Sequence, residues 1–136
     1  ARKALPPARQ GGFDLAARLL DICGAMLRPI PMGGVAEDIE AIAMPGHTPG
    51  HAGYLIGNGD DRLLLWGDVL HVTGLQAADP EIAFVYDIDS ELAHGTRLEV
   101  LAAAVDHGWL VSGGHLGGFF HIERQGDHFR FLQHAV

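Results

Sequence analysis

The chain has 136 residues, the length of one ordinary domain, and its 48% apolar and 19% charged content marks it as globular rather than disordered. No apolar run reaches the roughly 18–20 residues that a membrane-crossing helix requires, and the single cysteine, Cys23, excludes an internal disulfide and a cysteine-rich zinc module. Arg2, Lys3, Arg9, Arg18 and Arg28 against Asp14 and Asp21 give residues 1–31 a balance of +3. The rest of the chain, with four basic and fifteen acidic side chains, stands at −11, which argues against a nucleic-acid surface there because phosphate contact needs clustered cations.

Residues 1–11, punctuated by Pro and Gly, read as an extended lead-in. From Asp14, a candidate N-cap, the positions Leu15, Ala16, Leu19, Leu20, Cys23, Met26 and Leu27 recur at helical spacing, and Pro29 and Pro31 end the pattern. Cys23 falls on this apolar stripe and is expected to be a buried, inert thiol. Gly33-Gly34 reads as a loop. Strands are predicted over 39–44, 52–56 and 62–66, with Asn58-Gly59-Asp60 turning the chain between the last two. The third is almost wholly apolar and is expected to be buried on both faces. After a loop containing Gly74 and Pro80 comes a short apolar run, 82–86, of undecided type. Ser90 is a candidate N-cap for a helix that ends near Gly108, with Leu92, Leu98, Val100, Leu101, Ala104 and Val105 as its apolar residues. Strands over 109–111, 120–124 and 128–132 follow, the last two joined by Gln125-Gly126-Asp127. The mixture predicts an α/β or α+β domain. The expected division is 1–33, a lead-in and helix left from a preceding region, and 34–136, the body of the domain.

The chemistry-bearing residues sit where these strands end. His51 precedes one strand, Asp68 follows another and His115 follows a third, each in a glycine-rich turn. Singly, each has an ordinary reading: a surface histidine, or a turn-forming aspartate. Together, two imidazoles and a carboxylate are the ligand types that bind Zn²⁺, Mn²⁺ or Fe²⁺, and nine histidines is a high count for this length.

The run Pro45-Gly46-His47-Thr48-Pro49-Gly50-His51, then Leu63-Leu64-Leu65-Trp66-Gly67-Asp68, then Ser112-Gly113-Gly114-His115, resembles the second half of the metallo-β-lactamase superfamily. Within it, Gly67-Asp68-Val69-Leu70-His71-Val72 and Phe120-His121-Ile122-Glu123-Arg124 are similar to the methyl parathion hydrolase and lactonase-like branch. The resemblance implies the C-terminal half of an αββα sandwich, a mixed sheet with flanking helices, and a binuclear zinc hydrolase using a metal-bound hydroxide on an ester, lactone or phosphoester. It implies His51 in the first metal site, Asp68 as the bridging and catalytic carboxylate, and His115 in the second site. It gives His47 a hydrogen-bonding loop role and His71 a place behind the ligands or on the pocket wall. His94, His107, His121, His128 and His134 have no supporting context, and Trp66 is expected in the core.

Two departures qualify this. The segment after His115, Leu116-Gly117-Gly118-Phe119-Phe120, lacks the prolines of that branch, and it borders the expected active site. The HxHxDH motif that supplies most ligands in the superfamily is absent: no histidine precedes His47 and no H-x-H occurs. A catalytic zinc takes about three protein ligands, so the three implied residues do not fill two sites. The expected partners are therefore a small-molecule substrate, no nucleic acid, no membrane, and either a complementary N-terminal half or a second copy of the chain. The alternative to a hydrolase is a non-catalytic half-domain, functional only when paired, and the compartment is not readable.

Overall fold

A computed structural model describes Pro7 and residues 10–135, so most of the lead-in expected over 1–11 lies outside the described residues. The chain divides into two compact units between Ile30 and Pro31. The first holds α1 (Gly11–Cys23) and a 3-10 turn, Gly24–Met26. The helix starts earlier than its apolar periodicity suggests: Gln10 is the N-cap and Asp14 lies in the first turn. No residue of α1 is buried. Leu15, Leu19, Leu20 and Ile22 are each more than half exposed, and Cys23, expected inside, is only partly covered. The apolar face that periodicity predicts is therefore exposed along the helix.

The second unit is a seven-stranded sheet in sequence order: β1 (Gly33–Ala36), β2 (Ile39–Ala43), β3 (Ala52–Ile56), β4 (Leu63–Leu65), β5 (Leu110–Ser112), β6 (Phe120–Gln125) and β7 (His128–Gln133). Every neighbouring pair is antiparallel except β4 and β5, which run parallel. Parallel neighbours need a crossover, and here it contains the short helix α2 (Thr73–Gln76) and the long α3 (Ser90–Asp106). The expected loop at Gly33-Gly34 is instead strand β1, paired to Glu40 and Ala41; glycine has low strand propensity, and the pairing with β2 overrides it. Residues 82–86 form no helix or strand.

Leu55, Leu64 and Val111 are register partners across β3, β4 and β5 and are fully or almost fully buried. With Ile122 and Phe129 they form one core with Val100, Leu101 and Ala104 of α3, and Trp66 is sealed within it as expected. Side chains alternate along a strand, so Leu63 and Leu65 point to the other face. They are only partly buried, which corrects the expectation of a strand covered on both sides. Tyr54, Ile56 and Leu110, their register partners, are likewise incompletely covered.

Asp89, not Ser90, caps α3, its side chain accepting from the Leu92 amide at 3.0 Å. The buried face of α3 is Ala93, Thr96, Arg97, Val100, Leu101 and Ala104, whereas Leu92 and Leu98 are exposed. Among the described residues no helix is long and apolar enough to cross a membrane.

Candidate metal centre

Strand register brings the sequence-separated residues together. In the antiparallel pair β3–β4, Tyr54 faces Leu65. Extending that register beyond the strand ends sets His51 opposite Asp68, and the Asp68 amide indeed donates to His51 Nε2 at 3.0 Å. In the parallel pair β4–β5, Leu65 lies beside Ser112. Asp68 and His115 each follow three residues later, so both emerge at the same rim, the carboxyl ends of parallel strands where α/β sheets gather ligands. His115 Nε2 lies 3.5 Å from Asp68 Oδ1, and His47 Nε2 lies 3.5 Å from Asp68 Oδ2.

Two glycines permit this closeness. Gly67 has φ +59, and a Cβ there would stand 2.6 Å from His51 Nε2. At Gly114 a Cβ would stand 2.6 Å from Asp68 Oδ1. Any side chain at either position would drive into the carboxylate or the imidazole.

His51, Asp68 and His115 are thus all present at one rim, but His51 differs from the other two. Its Nε2 accepts from the Asp68 amide, so its Nδ1 carries the hydrogen and donates to the Met44 carbonyl at 2.8 Å. Both ring nitrogens are engaged with backbone. His47 has the hydrogen-bonding role expected of it: its Nδ1 lies 2.9 Å from Asp87 Oδ1.

Four further residues shape the centre: His71, Asp87, Arg97 and Gln76. His71 sits between His47 and His115, with ring centroids 4.7 Å from each, and stacks on Phe84 at 3.8 Å. Its pKa is pushed down to about 4, by burial first and then by His47 and His115, against the opposing pull of Asp68 and Asp87. It is therefore neutral at physiological pH, with a lone pair to offer. Asp87 is buried; it accepts from the Phe84 amide at 3.2 Å and lies 3.6 Å from the Arg97 guanidinium. Arg97, 1% exposed, also donates to the carbonyls of Val69 (3.1 Å) and Pro80 (2.6 Å), tying α3 to the loop after Asp68. Burial pulls its pKa down while Asp87 holds it up. Gln76, equally buried, accepts from the amides of His71 (2.8 Å) and Val72 (3.1 Å).

Sequence reading placed His71 behind the ligands or on the wall and passed over Asp87 and Arg97. For Arg97 a signal existed, since it falls on the same helical face as Ala93, Val100 and Leu101. Nothing around Asp87 in the sequence marks it, because its partner His47 is 40 residues away.

The donors fit a divalent metal. Ligand atoms of Asp68, His71 and His115 all lie within 4.8 Å of one another, as do those of His47, His71 and Asp87. His71 Nδ1 is buried without a hydrogen-bond partner among the described residues, a costly state for a polar atom unless something is bound there. Imidazole and carboxylate suit Zn²⁺, Mn²⁺ and Fe²⁺.

Comparison with solved structures settles the architecture. AidC, a dizinc quorum-quenching lactonase, matches with a TM-score of 0.89 over 98% of this chain and 47% of its own, at 20% identity. The hydrolase AbOPH of the beta-lactamase superfamily matches at 0.84 over 99% of this chain and 50% of its own, at 25% identity. The fold is a metallo-β-lactamase fold. An N-acyl homoserine lactone hydrolase with N-hexanoyl-L-homoserine at its catalytic metal centre matches more loosely, at 0.52 over 64% of this chain and 35% of its own, with 23% identity. The chain thus spans about half the length of the first two metal-dependent or superfamily hydrolases it matches. No protein-family model matches the chain, and no curated protein does.

Proposed function

We propose that this chain is the C-terminal half of a metal-dependent hydrolase acting on an ester, lactone or phosphoester bond, with zinc held by Asp68, His115 and His51. The observation that supports it most is the convergence of Asp68 with His115 and His47, 3.5 Å on either side, in a fold shared with a dizinc lactonase. Bound zinc supplies Lewis acidity, lowering the pKa of water and polarising the scissile bond.

The chain's own residues do the positioning. Asp68 turns one carboxylate oxygen toward His115 and the other toward His47, so the oxygen facing His115 would hold the metal beside that imidazole. His51 is oriented by the Met44 carbonyl at Nδ1, and its Nε2, which here accepts from the Asp68 amide, would exchange that bond for zinc. His47, anchored by Asp87, holds the 45–51 loop beside the carboxylate, and the Ile88 and Asp89 amides donate to the His47 and Gly46 carbonyls to fix that loop further. The segments 67–72 and 120–124 favour the methyl parathion hydrolase branch. Phe119, 37% exposed in the proline-free loop after His115, is where the substrate preference would depart from that branch.

A second reading is favoured by two observations. The row Tyr54, Ile56, Leu63, Leu65 and Leu110 is incompletely covered, and the chain spans about half of its structural neighbours. On this reading the chain alone is non-catalytic and works only against a complementary N-terminal half.

One assay separates the two. N-hexanoyl homoserine lactone, an aryl ester and an aryl phosphotriester are offered, with zinc, to the chain and to the product of the full reading frame that encodes it. Hydrolysis that a chelator abolishes and Asp68→Asn removes is the expected result. Activity confined to the full product selects the half-domain reading for this chain; no hydrolysis by either contradicts the proposal.

A further inference from the structure

The geometry points to a metal site that this chain completes by itself: one divalent transition-metal ion held by Asp68, His71 and His115. This rests on the metal-dependent reading above and deepens it, because His71 is outside the ligand set implied by the superfamily resemblance.

Four observations carry it. First, distance: donors on a tetrahedral zinc with bonds of 2.0–2.1 Å stand about 3.4 Å apart. His115 Nε2 and Asp68 Oδ1 are already at 3.5 Å, and all three ligand atoms lie within 4.8 Å. Small side-chain adjustments close the remainder. Second, availability: His71 Nδ1 is buried with no hydrogen-bond partner among the described residues. His51, by contrast, has both nitrogens committed to backbone.

Third, support. Phe84 stacks on the His71 ring at 3.8 Å, and Gln76 receives the His71 and Val72 amides, so the ring is held on both its face and its backbone. A ligand fixed in advance loses little entropy on binding. Fourth, the competing group is already satisfied. In His47, His71 and Asp87 the carboxylate accepts from His47 and the Phe84 amide and faces the Arg97 guanidinium. A cation there would displace the histidine and meet a fixed positive charge. Among the described residues Asp68 pairs with two histidines and with no Arg or Lys, and its side chain is 40% exposed.

The test is metal binding by the chain itself, read without any hydrolysis assay. Co²⁺ or Zn²⁺ is titrated against a chromophoric chelator into wild type, His71→Gln, His71→Phe, Asp68→Asn and His128→Ala, the last an exposed histidine on β7. Far-UV circular dichroism checks folding, and Gln is included because it keeps a polar group if Phe disturbs the fold. Long-range ¹H–¹⁵N spectra of the imidazoles are recorded with and without Zn²⁺. The site predicts about one ion per chain, an affinity about tenfold or more weaker in both His71 variants, and wild-type binding in His128→Ala. It also predicts a zinc-dependent shift of a His71 ring nitrogen. Wild-type affinity in folded His71→Gln, with binding lost in Asp68→Asn, overturns this inference and leaves the metal-dependent reading intact. No ion bound by the wild-type chain also overturns it, and the hydrolysis assay on the full reading-frame product then decides the broader reading.

Discussion

Beyond β4 and β5, ligand atoms of Asp68, His71 and His115 meet within 4.8 Å, whereas at the other end of the same strands the same residue types do not meet. There Asp60, Asp61, His121 and His134 line an open concavity of about 260 Å³ together with Arg62 and Leu110. The two imidazoles touch edge to face at 5.5 Å, all four side chains are exposed, and no group of three ligand atoms converges there among the described residues. Residue type is therefore not what separates the two. The first end has a second layer: Asp87 on His47, Met44 on His51, Gln76 and Phe84 on His71, and Arg97 joining that layer to α3. The second end shows no comparable buried support. A site differs from a coincidence of side chains by what holds it.

The largest effect that would sharpen this contrast comes from the support. Arg97 and Asp87 are each 1% exposed at the side chain, so Arg97→Met leaves a buried carboxylate without its cation. The expected loss is about 3–5 kcal/mol of folding stability, measured by urea denaturation. A loss under about 1 kcal/mol, the range of a surface pair, would show that the buried layer is not a support at all. Next comes Gly114→Ala, whose new Cβ would stand 2.6 Å from Asp68 Oδ1. It is expected to weaken zinc binding about tenfold in the chelator competition, on the scale of disturbing a ligand's surroundings, while the protein stays folded.

A smaller effect lies in the pH dependence of stability. His71 titrates near 4 in the fold and near its ordinary 6.5 in the unfolded chain. Between those values the unfolded state takes up a proton that the folded state resists, so metal-free stability is full above about 6.5 and falls as pH drops toward about 4. Burial is the largest cause of this shift, with His47 and His115 adding to it and Asp68 and Asp87 opposing it. Denaturation profiles should be flatter over that range in His71→Phe than in wild type. The smallest effect is at the other end: His121→Ala and His134→Ala should leave zinc affinity unchanged and stability within about 0.5 kcal/mol. A tenfold loss of zinc in either would erase the distinction between the two ends.

Much of this was legible in the sequence, for reasons that differ by residue. The strands read over 52–56, 120–124 and 128–132 follow from short runs bounded by turns, the last two each extending one residue further in the structure, and the mixed sheet with flanking helices follows from the order of elements. His51, Asp68 and His115 stood out because each adjoins a strand end, and register alone then brings 51 opposite 68 and sets 68 beside 115. What the sequence hid was dependence on distant partners. The apolar stripe of α1 is strong yet holds no buried residue, and the packed face of α3 is blurred because Thr96 and Arg97 occupy it. Thr96 donates to the Pro45 carbonyl at 2.6 Å, and Arg97 reaches Val69 and Pro80, so polar residues on the buried face serve the loops around the centre rather than the core. Asp87 and His71 acquire meaning only once the crossover between β4 and β5 has folded back over the rim.

The most direct measurement is zinc content by elemental analysis of the purified chain after loading and desalting, alongside Asp68→Asn. The account predicts about one tightly held zinc per wild-type chain, as expected of three protein ligands on one catalytic-type ion, and little in the variant. A wild-type chain free of zinc, or a variant that retains it in full, would contradict a centre built on the Asp68 carboxylate.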